Sequence, residues 1–194
     1  MPDGEVEHVS APKDRHHDTG MSEIRLIGYH TADDVPLQDA RALLTAHVTW
    51  AYAEFRALGA PEFDVMVHVD RFFQHLEEVL PPKGAYFLVH GPDGRAVGTG
   101  ALRRISANTG EMKHLYLQPE MRGKGLGEAL VMARIEAARA LGIKTLFADT
   151  FRGNKPMIGL YYRLGFTDAA PYESAVATIT PVLIPHMRYF EMEL

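Results

Sequence analysis

Two hydrophobic patterns alternate along the chain, and together they predict an α/β fold. Alternation of apolar and polar residues predicts strands, as in residues 22–30, where charged side chains flank Ile24 and Leu26. Apolar residues spaced three or four positions apart predict helices, most clearly in residues 126–141, which also carry a polar face. The first pattern points side chains to the two faces of a sheet in turn, whereas the second forms one apolar stripe along a helix.

The predicted elements follow the order β-α-α-β-β-β-α-β-α-β. Strands are predicted at residues 22–30, 85–90, 95–106, 111–117, 144–149 and 188–194. Helices are predicted at residues 36–58, 63–80, 126–141 and 154–164. This order favours a single α/β domain with a mixed, mostly antiparallel central sheet flanked by helices. Residues 1–20 are polar and lack periodicity, so we expect a flexible N-terminal tail before a domain that spans residues 21–194.

Composition narrows the classes of protein that this chain can represent. With 194 residues, 46% hydrophobic and 23% charged, it is typical of one soluble globular domain. The net charge of -5, without a block of basic residues, argues against a nucleic-acid partner. The chain has no cysteine, which excludes disulfides, thiolate metal sites and a cysteine nucleophile. No metal-binding pattern, no apolar run of ~18–20 residues and no signal peptide stand out, so a cytoplasmic protein without a metal or a membrane attachment is expected.

The segment QPEMRGKGLG, residues 118–127, places three glycines at alternate positions directly before the clearest helix. The first N–H groups of a helix have no internal partner, and the helix dipole favours negative charge there. Glycines let the backbone approach a phosphate closely, and Arg122 and Lys124 add positive charge. From the loop alone, a pyrophosphate site and a plain tight turn before a helix are equally good explanations.

Two better-known nucleotide motifs do not fit this loop. A dinucleotide G-x-G-x-x-G pattern fails because positions 128 and 130 are Glu and Leu. A P-loop requires Ser or Thr after its Gly-Lys pair, whereas Lys124 is followed by Gly125.

Two motifs at a characteristic separation resemble a known family. Arg122, Gly125 and Gly127 form Arg-x-x-Gly-x-Gly between the strand EMKHLYL and an Ala-rich helix, and NKPMIGLYYRLGF follows at residues 154–166. These motifs resemble the acetyl-CoA motif and the Asn…Leu-Tyr-x-x-Leu-Gly-Phe segment of the GNAT superfamily of N-acetyltransferases. The resemblance spans about residues 111–166 and implies a GNAT-like sheet, splayed around a CoA site, with acetyl-CoA as cosubstrate.

The resemblance also implies roles for individual residues. The backbone of Leu115, Tyr116 and Leu117 is expected to hydrogen-bond the pantetheine arm and the thioester, in the splay beside the strand 144–149. The pyrophosphate is expected on backbone N–H groups of the loop, contributed by Arg122, Gly123, Lys124, Gly125, Leu126 and Gly127. Asn154 is expected to contact the cofactor arm. Tyr161 matches the tyrosine beside the thioester sulfur and is predicted to be the general acid; the alternative is a core tyrosine.

The sequence departs from the family pattern in two places. Met157 stands where many members carry a small Ala, which is expected to change packing against the cofactor. The apolar segment VATITPVLIPH, residues 176–186, occupies a connection that shapes the acceptor pocket in relatives.

Acetyl transfer to an amine requires a base. A lysine-like amine has a pKa of ~10.4, so about one molecule in ~2,500 is neutral at pH 7, and reaching that form costs roughly 4–5 kcal/mol. Glu111 resembles the base glutamate of histone-type family members and is the predicted base, acting directly or through water. The alternative is a strand-end glutamate that pairs with Lys113, two residues on and therefore on the same face.

The predicted function is direct acetyl transfer to a primary amine. A small-molecule acceptor is favoured over a protein because no accessory recognition domain is evident, and a homodimer is suggested only by analogy with the resembled family. The alternative is a non-catalytic acyl-CoA-binding sensor or partner module on the same fold, although the presence of both Glu111 and Tyr161 argues against it. His114 is expected to be a packed or surface residue, and His47, His68 and His75 share no ligand spacing.

Overall fold

The computed structural model describes residues 23–176 and 181–194 and confirms a mixed α/β fold around one seven-stranded sheet. Its strands are β1 (Arg25–Tyr29), β2 (Gly84–His90), β3 (Ala96–Arg104), β4 (Thr109–Leu117), β5 (Thr145–Phe151), β6 (Thr167–Ala169) and β7 (Met187–Glu193). Its helices are α1 (Leu37–Ala57), α2 (Val65–Gln74), α3 (Leu126–Ala140), α4 (Lys155–Arg163) and the single turn α5 (Glu173–Val176). The strand order is β1-β2-β3-β4-β5-β7-β6, and only the β4–β5 pair is parallel.

Helices cover both faces of this sheet, as the alternation along the central strands requires. On β3, Leu102 belongs to a core cluster with residues of α3 and α4, whereas its neighbour Ala101 belongs to a cluster with residues of α1. Both side chains are fully buried, so a register slip of one residue would exchange the two faces.

The second predicted helix is shorter in the structure than in the sequence-based prediction. It ends at Gln74, and a 3-10 turn follows at Leu76–Val79 before the two prolines that were expected to close the helix. Its N-terminus is fixed by Asp64, whose side chain accepts hydrogen bonds from the N–H groups of Met66 and Val67. The short strand β6 was not predicted, because three residues are too few to show a pattern.

Parts of two predictions lie outside the described residues. The described residues include neither the predicted tail, residues 1–20, nor residues 177–180 of the apolar segment 176–186. The remainder of that segment forms a 3-10 turn at Pro181–His186. In the part of the chain that the structure describes, no helix is both long and apolar enough to cross a membrane.

The expected splay lies between β4 and β5. These strands pair only from Thr109 with Thr145 to Glu111 with Phe147, although β4 continues to Leu117 and β5 to Phe151. The separation coincides with a bulge in β4, at which the register against β3 shifts and His114 adopts a φ of 52°. A bulge bends its strand and interrupts the ladder, and the backbone beyond it is left open toward β5.

Candidate active site

The splay opens into a cleft of about 870 Å³, within the usual range for small-ligand sites. Its walls come from β4, β5 and α4, from the glycine loop before α3, and from α1 and α2 on the other face of the sheet. One end therefore contains the loop predicted to hold a pyrophosphate, and the other end is formed by the first two helices.

The glycine loop has a backbone that requires glycine at two positions. Gly123 and Gly125 have φ values of 74° and 78°, in the left-handed region that other residues rarely adopt. No atom within 4 Å would obstruct a Cβ at either position, so the requirement is conformational. Gly125 is the N-cap residue of α3, and the next N–H groups have no partner within the helix. Such groups, facing a cleft, can bind an anion.

The side chains of the two cationic residues of the loop, Arg122 and Lys124, contact other protein atoms. Arg122 donates from Nε to the carbonyl of Leu117 at 3.1 Å, and its guanidinium lies over the rings of Trp50 and Tyr116 at 5.9 and 5.6 Å from their centroids. Lys124 places Nζ 3.9 Å from the sulfur of Met121. The backbone N–H of Arg122 already donates to the Pro119 carbonyl at 3.2 Å, so the prediction that this N–H binds a pyrophosphate does not fit the structure. Lys124 can contribute through its backbone N–H.

Most of the predicted cofactor residues line this cleft. They are Leu115, Tyr116, Leu117, Arg122, Gly123, Gly125, Gly127 and Asn154, whereas Lys124 and Leu126 do not contribute to its wall. Asn154 also has a structural role as the N-cap of α4: it donates to Thr150 Oγ1 at 3.0 Å and accepts from the N–H of Met157 at 3.4 Å.

Tyr161 lies at the boundary between the core and the cleft. It is 3% exposed, and its ring packs beside Phe166 and Phe190 at centroid distances of 4.9 and 5.1 Å. Burial raises the pKa of its hydroxyl to about 12, against the opposing effect of the nearby positive charge of Arg134. No hydrogen bond to this hydroxyl occurs among the described residues, so the group that lines the cleft can bind a ligand.

Glu111 is fully buried, with an exposure of 0%, and does not line the cleft. Its Oε2 accepts from Arg103 at 3.0 Å, and its Oε1 accepts from Lys113 at 3.1 Å and from the Tyr172 hydroxyl at 3.2 Å. The alternative drawn from the sequence, a pair with Lys113, is thus present. A direct contact with an acceptor amine would require displacement of these partners.

A second carboxylate, that of Asp149, stands beside this cluster and does line the cleft. It lies two residues beyond Phe147, the last residue of β5 that pairs with β4, and its Oδ2 is 3.2 Å from the Tyr172 hydroxyl. Burial raises the pKa of Asp149, while Lys113 opposes that shift and Glu111 adds to it. No motif in the sequence singles out this residue, although it ends the predicted strand 144–149 beside the splay.

The end of the cleft formed by α1 and α2 is the predicted acceptor end, and it contains three histidines whose sequence spacing does not link them. The rings of His47 on α1 and His68 on α2 lie 5.8 and 5.5 Å from that of His114 in the β4 bulge. Burial lowers the pKa of His47 to about 4 and that of His114 well below its ordinary value. Burial also lowers the pKa of His68, so the neutral form of all three rings is favoured at pH 7.

Aromatic rings complete this acceptor end. His47 is flanked by Trp50 and Tyr116, and His114 contacts Phe72 at a centroid distance of 5.0 Å. The prediction that His114 is a packed residue fits these contacts. Within residues 23–176 and 181–194, no group of three or more His, Asp or Glu side chains is arranged to hold a metal ion.

Comparison with known proteins places this site in a family. Residues 45–166 match the family model described as Acetyltransferase (GNAT) family. The chain belongs to this family. The matched segment contains both the glycine loop and the segment with Asn154 and Tyr161 that carried the resemblance.

Individual members vary in how much of their length is shared. An uncharacterized N-acetyltransferase of Schizosaccharomyces pombe is 30% identical over 65% of this chain and 78% of that protein. The L-methionine sulfoximine/L-methionine sulfone acetyltransferase of Pseudomonas aeruginosa is 43% identical over 34% of this chain, and the match spans only 40% of that protein. The PaiA N-acetyltransferase of Thermoplasma acidophilum, solved in complex with coenzyme A, superimposes with a TM-score of 0.65 at 18% identity, over 89% of this chain and 99% of that one. This last likeness concerns the fold alone.

Proposed function

We propose that the chain is an acetyl-CoA-dependent N-acetyltransferase that transfers the acetyl group directly to a primary amine of a small molecule. The observation that carries the proposal is the continuity of one cleft from the glycine loop, along the open edges of β4 and β5, to the enclosed aromatic end at α1 and α2. Acetyl-CoA, when bound, supplies an activated acetyl group as a thioester.

The residues along the splay fit such a cosubstrate. The loop from Gly123 to Gly127 offers backbone N–H groups to a pyrophosphate, whereas the N–H of Arg122 donates to the Pro119 carbonyl. The open edge of β4 at residues 115–117 offers backbone hydrogen bonds to a pantetheine arm, and Asn154 lies at the start of α4 beside it. The orphaned N–H groups and the open strand edge are polar features that a bound ligand of this kind would satisfy.

Asp149 is the base in this proposal, because it combines a place in the cleft wall with a carboxylate that lacks a paired cation among the described ion pairs. It removes one proton from the acceptor ammonium, directly or through water, so that the nitrogen lone pair can form the new C–N bond. Tyr161 gives its hydroxyl proton to the sulfur as the C–S bond breaks and recovers a proton from the product nitrogen through solvent. One proton is released overall, from Asp149.

The predicted base role of Glu111 stays a competing prediction. Its buried contacts favour a structural part instead, in which it holds Arg103, Lys113 and the Tyr172 hydroxyl in place beside the splay.

The acceptor end of the cleft supports a small amine. Neutral histidines do not repel an ammonium group, and the ring of Tyr52 can attract one, whereas the rings of Trp50 and Tyr116 already carry the Arg122 guanidinium. The Pseudomonas relative named above is an acetyltransferase of amino-acid analogues, which supports an acceptor of similar size.

A non-catalytic acyl-CoA-binding module is the second candidate. The specific observation in its favour is the burial of Glu111, because that residue was one of two reasons for rejecting this alternative. The two candidates share the cofactor but differ in turnover.

Two measurements on the purified chain separate these outcomes. Acetyl-CoA at ~100 times its Kd should stabilise either version by roughly 2.7 kcal/mol, and an unchanged melting temperature would sink the cofactor assignment. Free-thiol release is then followed with a panel of amino acids, polyamines and other small amines. Amine-dependent release supports the enzyme, whereas stabilisation without release for any amine supports the sensor.

A further inference from the structure

A fully buried arginine, Arg134, lies on α3 behind the splay with an exposure of 0%. It has no acidic partner within the described ranges, where each ion pair joins other residues. Burial of an isolated cation is costly unless charges or hydrogen bonds compensate it, so this residue requires an explanation.

The protein satisfies only part of this guanidinium. Nε donates to the Leu130 carbonyl at 3.0 Å, within its own helix, and Nη1 lies 3.4 and 3.5 Å from the carbonyls of Ala101 and Lys113. The last two distances are long for N–H···O hydrogen bonds. Nη2 is buried without a hydrogen-bond partner among the described residues. Burial lowers the pKa of Arg134 to about 10, so the group remains charged at pH 7.

The head of Arg134 lies beside the β4 bulge. It contacts the carbonyl of Lys113, which immediately precedes His114, the residue with a φ of 52°. Gly100 on β3 provides the space, because a Cβ there would come within 3.3 Å of Nε and 3.5 Å of Cζ. Arg134 also contributes to the cleft wall, and its charge acts on the Tyr161 hydroxyl against the effect of burial on that pKa. Arg134 and Tyr161, the residue proposed to protonate the sulfur, thus line the same cleft.

A purely structural role does not account for this arrangement. One hydrogen bond of 3.0 Å and two long ones to carbonyls compensate a buried charge poorly, and a leucine or methionine would fill the same space at lower cost. A charged donor next to the open part of the cleft is physically useful if negative charge develops there.

We propose that Arg134 stabilises the negative charge on the sulfur of coenzyme A, with Nη2 as the donor to the departing thiolate. This inference rests on the proposed function and extends it, since neither motif of the family resemblance includes position 134. The arginine and Tyr161 then act together on the sulfur. The guanidinium favours C–S cleavage by stabilising the thiolate, and the tyrosine hydroxyl supplies its proton.

The first test uses coenzyme A and the unchanged protein. The thiol of bound coenzyme A is titrated by its ultraviolet thiolate absorbance and compared with free coenzyme A. A guanidinium at the sulfur lowers the thiol pKa, so the bound thiol should ionise at lower pH than the free one. Equal titration of bound and free coenzyme A overturns the inference, while absence of binding overturns the proposed function itself.

The second test uses Arg134→Met, with Arg139→Met as the matched control on the same helix. Arg139 is half exposed and pairs with Glu136, so its replacement should alter neither the thiol titration nor turnover. Arg134→Met should retain or raise the melting temperature of the ligand-free protein, return the bound thiol to the titration of free coenzyme A, and reduce kcat by on the order of 10². Arg134→Lys, which keeps the charge, should restore part of the thiol shift.

The opposite results would assign Arg134 a purely structural role. The inference is overturned if two results occur together. Arg134→Met lowers the melting temperature strongly. Arg134→Lys folds, binds coenzyme A and turns over normally, but the thiol of its bound coenzyme A titrates as it would without the positive charge. Wild-type binding and amine-dependent thiol release would remain intact in that case, so the proposed function would survive.

Discussion

A single hydroxyl connects the two carboxylates of the site, and their surroundings differ. Tyr172, stacked on Phe147 at 4.7 Å, lies 3.2 Å from Oε1 of Glu111 and 3.2 Å from Oδ2 of Asp149. One phenolic hydrogen can be donated to only one of them at a time. Glu111 also forms ion pairs with Arg103 and Lys113, whereas Asp149 lines the cleft. Among the individual residues, this asymmetry decides which carboxylate can exchange protons with a substrate.

Replacement of each carboxylate by its amide tests that asymmetry. Asp149→Asn should reduce kcat by about 10²–10⁴, and the remaining rate should rise with pH toward the pKa of the amine, because solvent must then supply the neutral nucleophile. In the unchanged enzyme, the rate should fall on acidification as Asp149, whose pKa is raised by burial, becomes protonated. The pH–rate profile of kcat/KM checks both expectations.

Glu111→Gln is the matched comparison. It leaves Arg103 and Lys113 without their buried partner, so it should lower the free energy of unfolding by about 3 kcal/mol while keeping the shape of the pH–rate profile. A profile moved to higher pH by Glu111→Gln, together with a normal profile for Asp149→Asn, would return the base role to Glu111.

Tyr161→Phe tests the proton donor. The ring contacts with Phe166 and Phe190 remain, so folding and acetyl-CoA affinity should stay nearly unchanged while kcat falls by roughly 10²-fold or more. Tyr162→Phe is the control, because its exposed hydroxyl bonds to Asp168 and Arg188 away from the cleft. Weakened cofactor binding with unchanged turnover in Tyr161→Phe would refute the role.

Among the secondary-structure elements, the junction of β4 and α3 builds the end of the cleft that is proposed to bind the cofactor. The bulge at His114 opens β4 toward β5, and the turn at Gly125 begins α3 in line with the open edge. The turn was evident from the sequence because glycine spacing is a local signal. The bulge was not evident, because it lies where Gly100, Arg134 and β4 meet, and these are distant in sequence.

Gly125→Ala should strain this junction. A left-handed φ of 78° costs a non-glycine residue about 1–2 kcal/mol, and relief of that strain would displace the N–H groups offered to the pyrophosphate. The acetyl-CoA Kd should therefore increase, as measured by calorimetry. Gly59→Ala is the control: Gly59 has a φ of 88°, open space around it and no part in the cleft wall, so it should lose stability without losing affinity. Equal affinity losses in both variants would contradict the local role of Gly125.

For the molecule as a whole, the sequence could predict the fold and the residues proposed to hold the cofactor, most of which line one cleft, but it could not predict the end of the cleft at α1 and α2. The residues from Glu111 to Phe166 form continuous segments whose order carries the family pattern. The proposed acceptor end brings together His47, His68 and His114 from three separate elements. No spacing in the sequence predicts that these residues lie close to one another. The same reason explains why the Lys113 contact of Glu111 was foreseen and the Tyr172 contact was not: Lys113 is two residues away, whereas Tyr172 lies far along the chain.

The buried histidines should make the stability of the molecule depend on pH. Burial lowers the pKa of His47 from 6.5 in its ordinary state to about 4 in the folded protein. Between these two pH values the unfolded chain therefore binds more protons than the folded protein does. The contribution of His47 to the free energy of unfolding is fully present above pH 6.5 and is lost as the pH falls toward 4. From pH 7 to pH 5 the loss should approach about 2 kcal/mol for this residue, and urea unfolding at the two pH values measures it.

His47→Phe is the variant that isolates this effect. It keeps an aromatic ring between Trp50 and Tyr116 and removes the titrating group, so the difference between pH 7 and pH 5 should become smaller. An unchanged difference would assign the pH dependence to other groups.

Amine-dependent release of the coenzyme A thiol is the decisive measurement for the proposed acetyl transfer. The chain is mixed with acetyl-CoA and the panel of small amines, and thiol formation is compared with the mass of the recovered amine. The proposed mechanism predicts that at least one amine yields free thiol and an N-acetylated product in equal amounts, and that Tyr161→Phe and Asp149→Asn lower both together. Stabilisation of the chain by acetyl-CoA with no thiol released above the background of the protein-free reaction, for any amine, would contradict it.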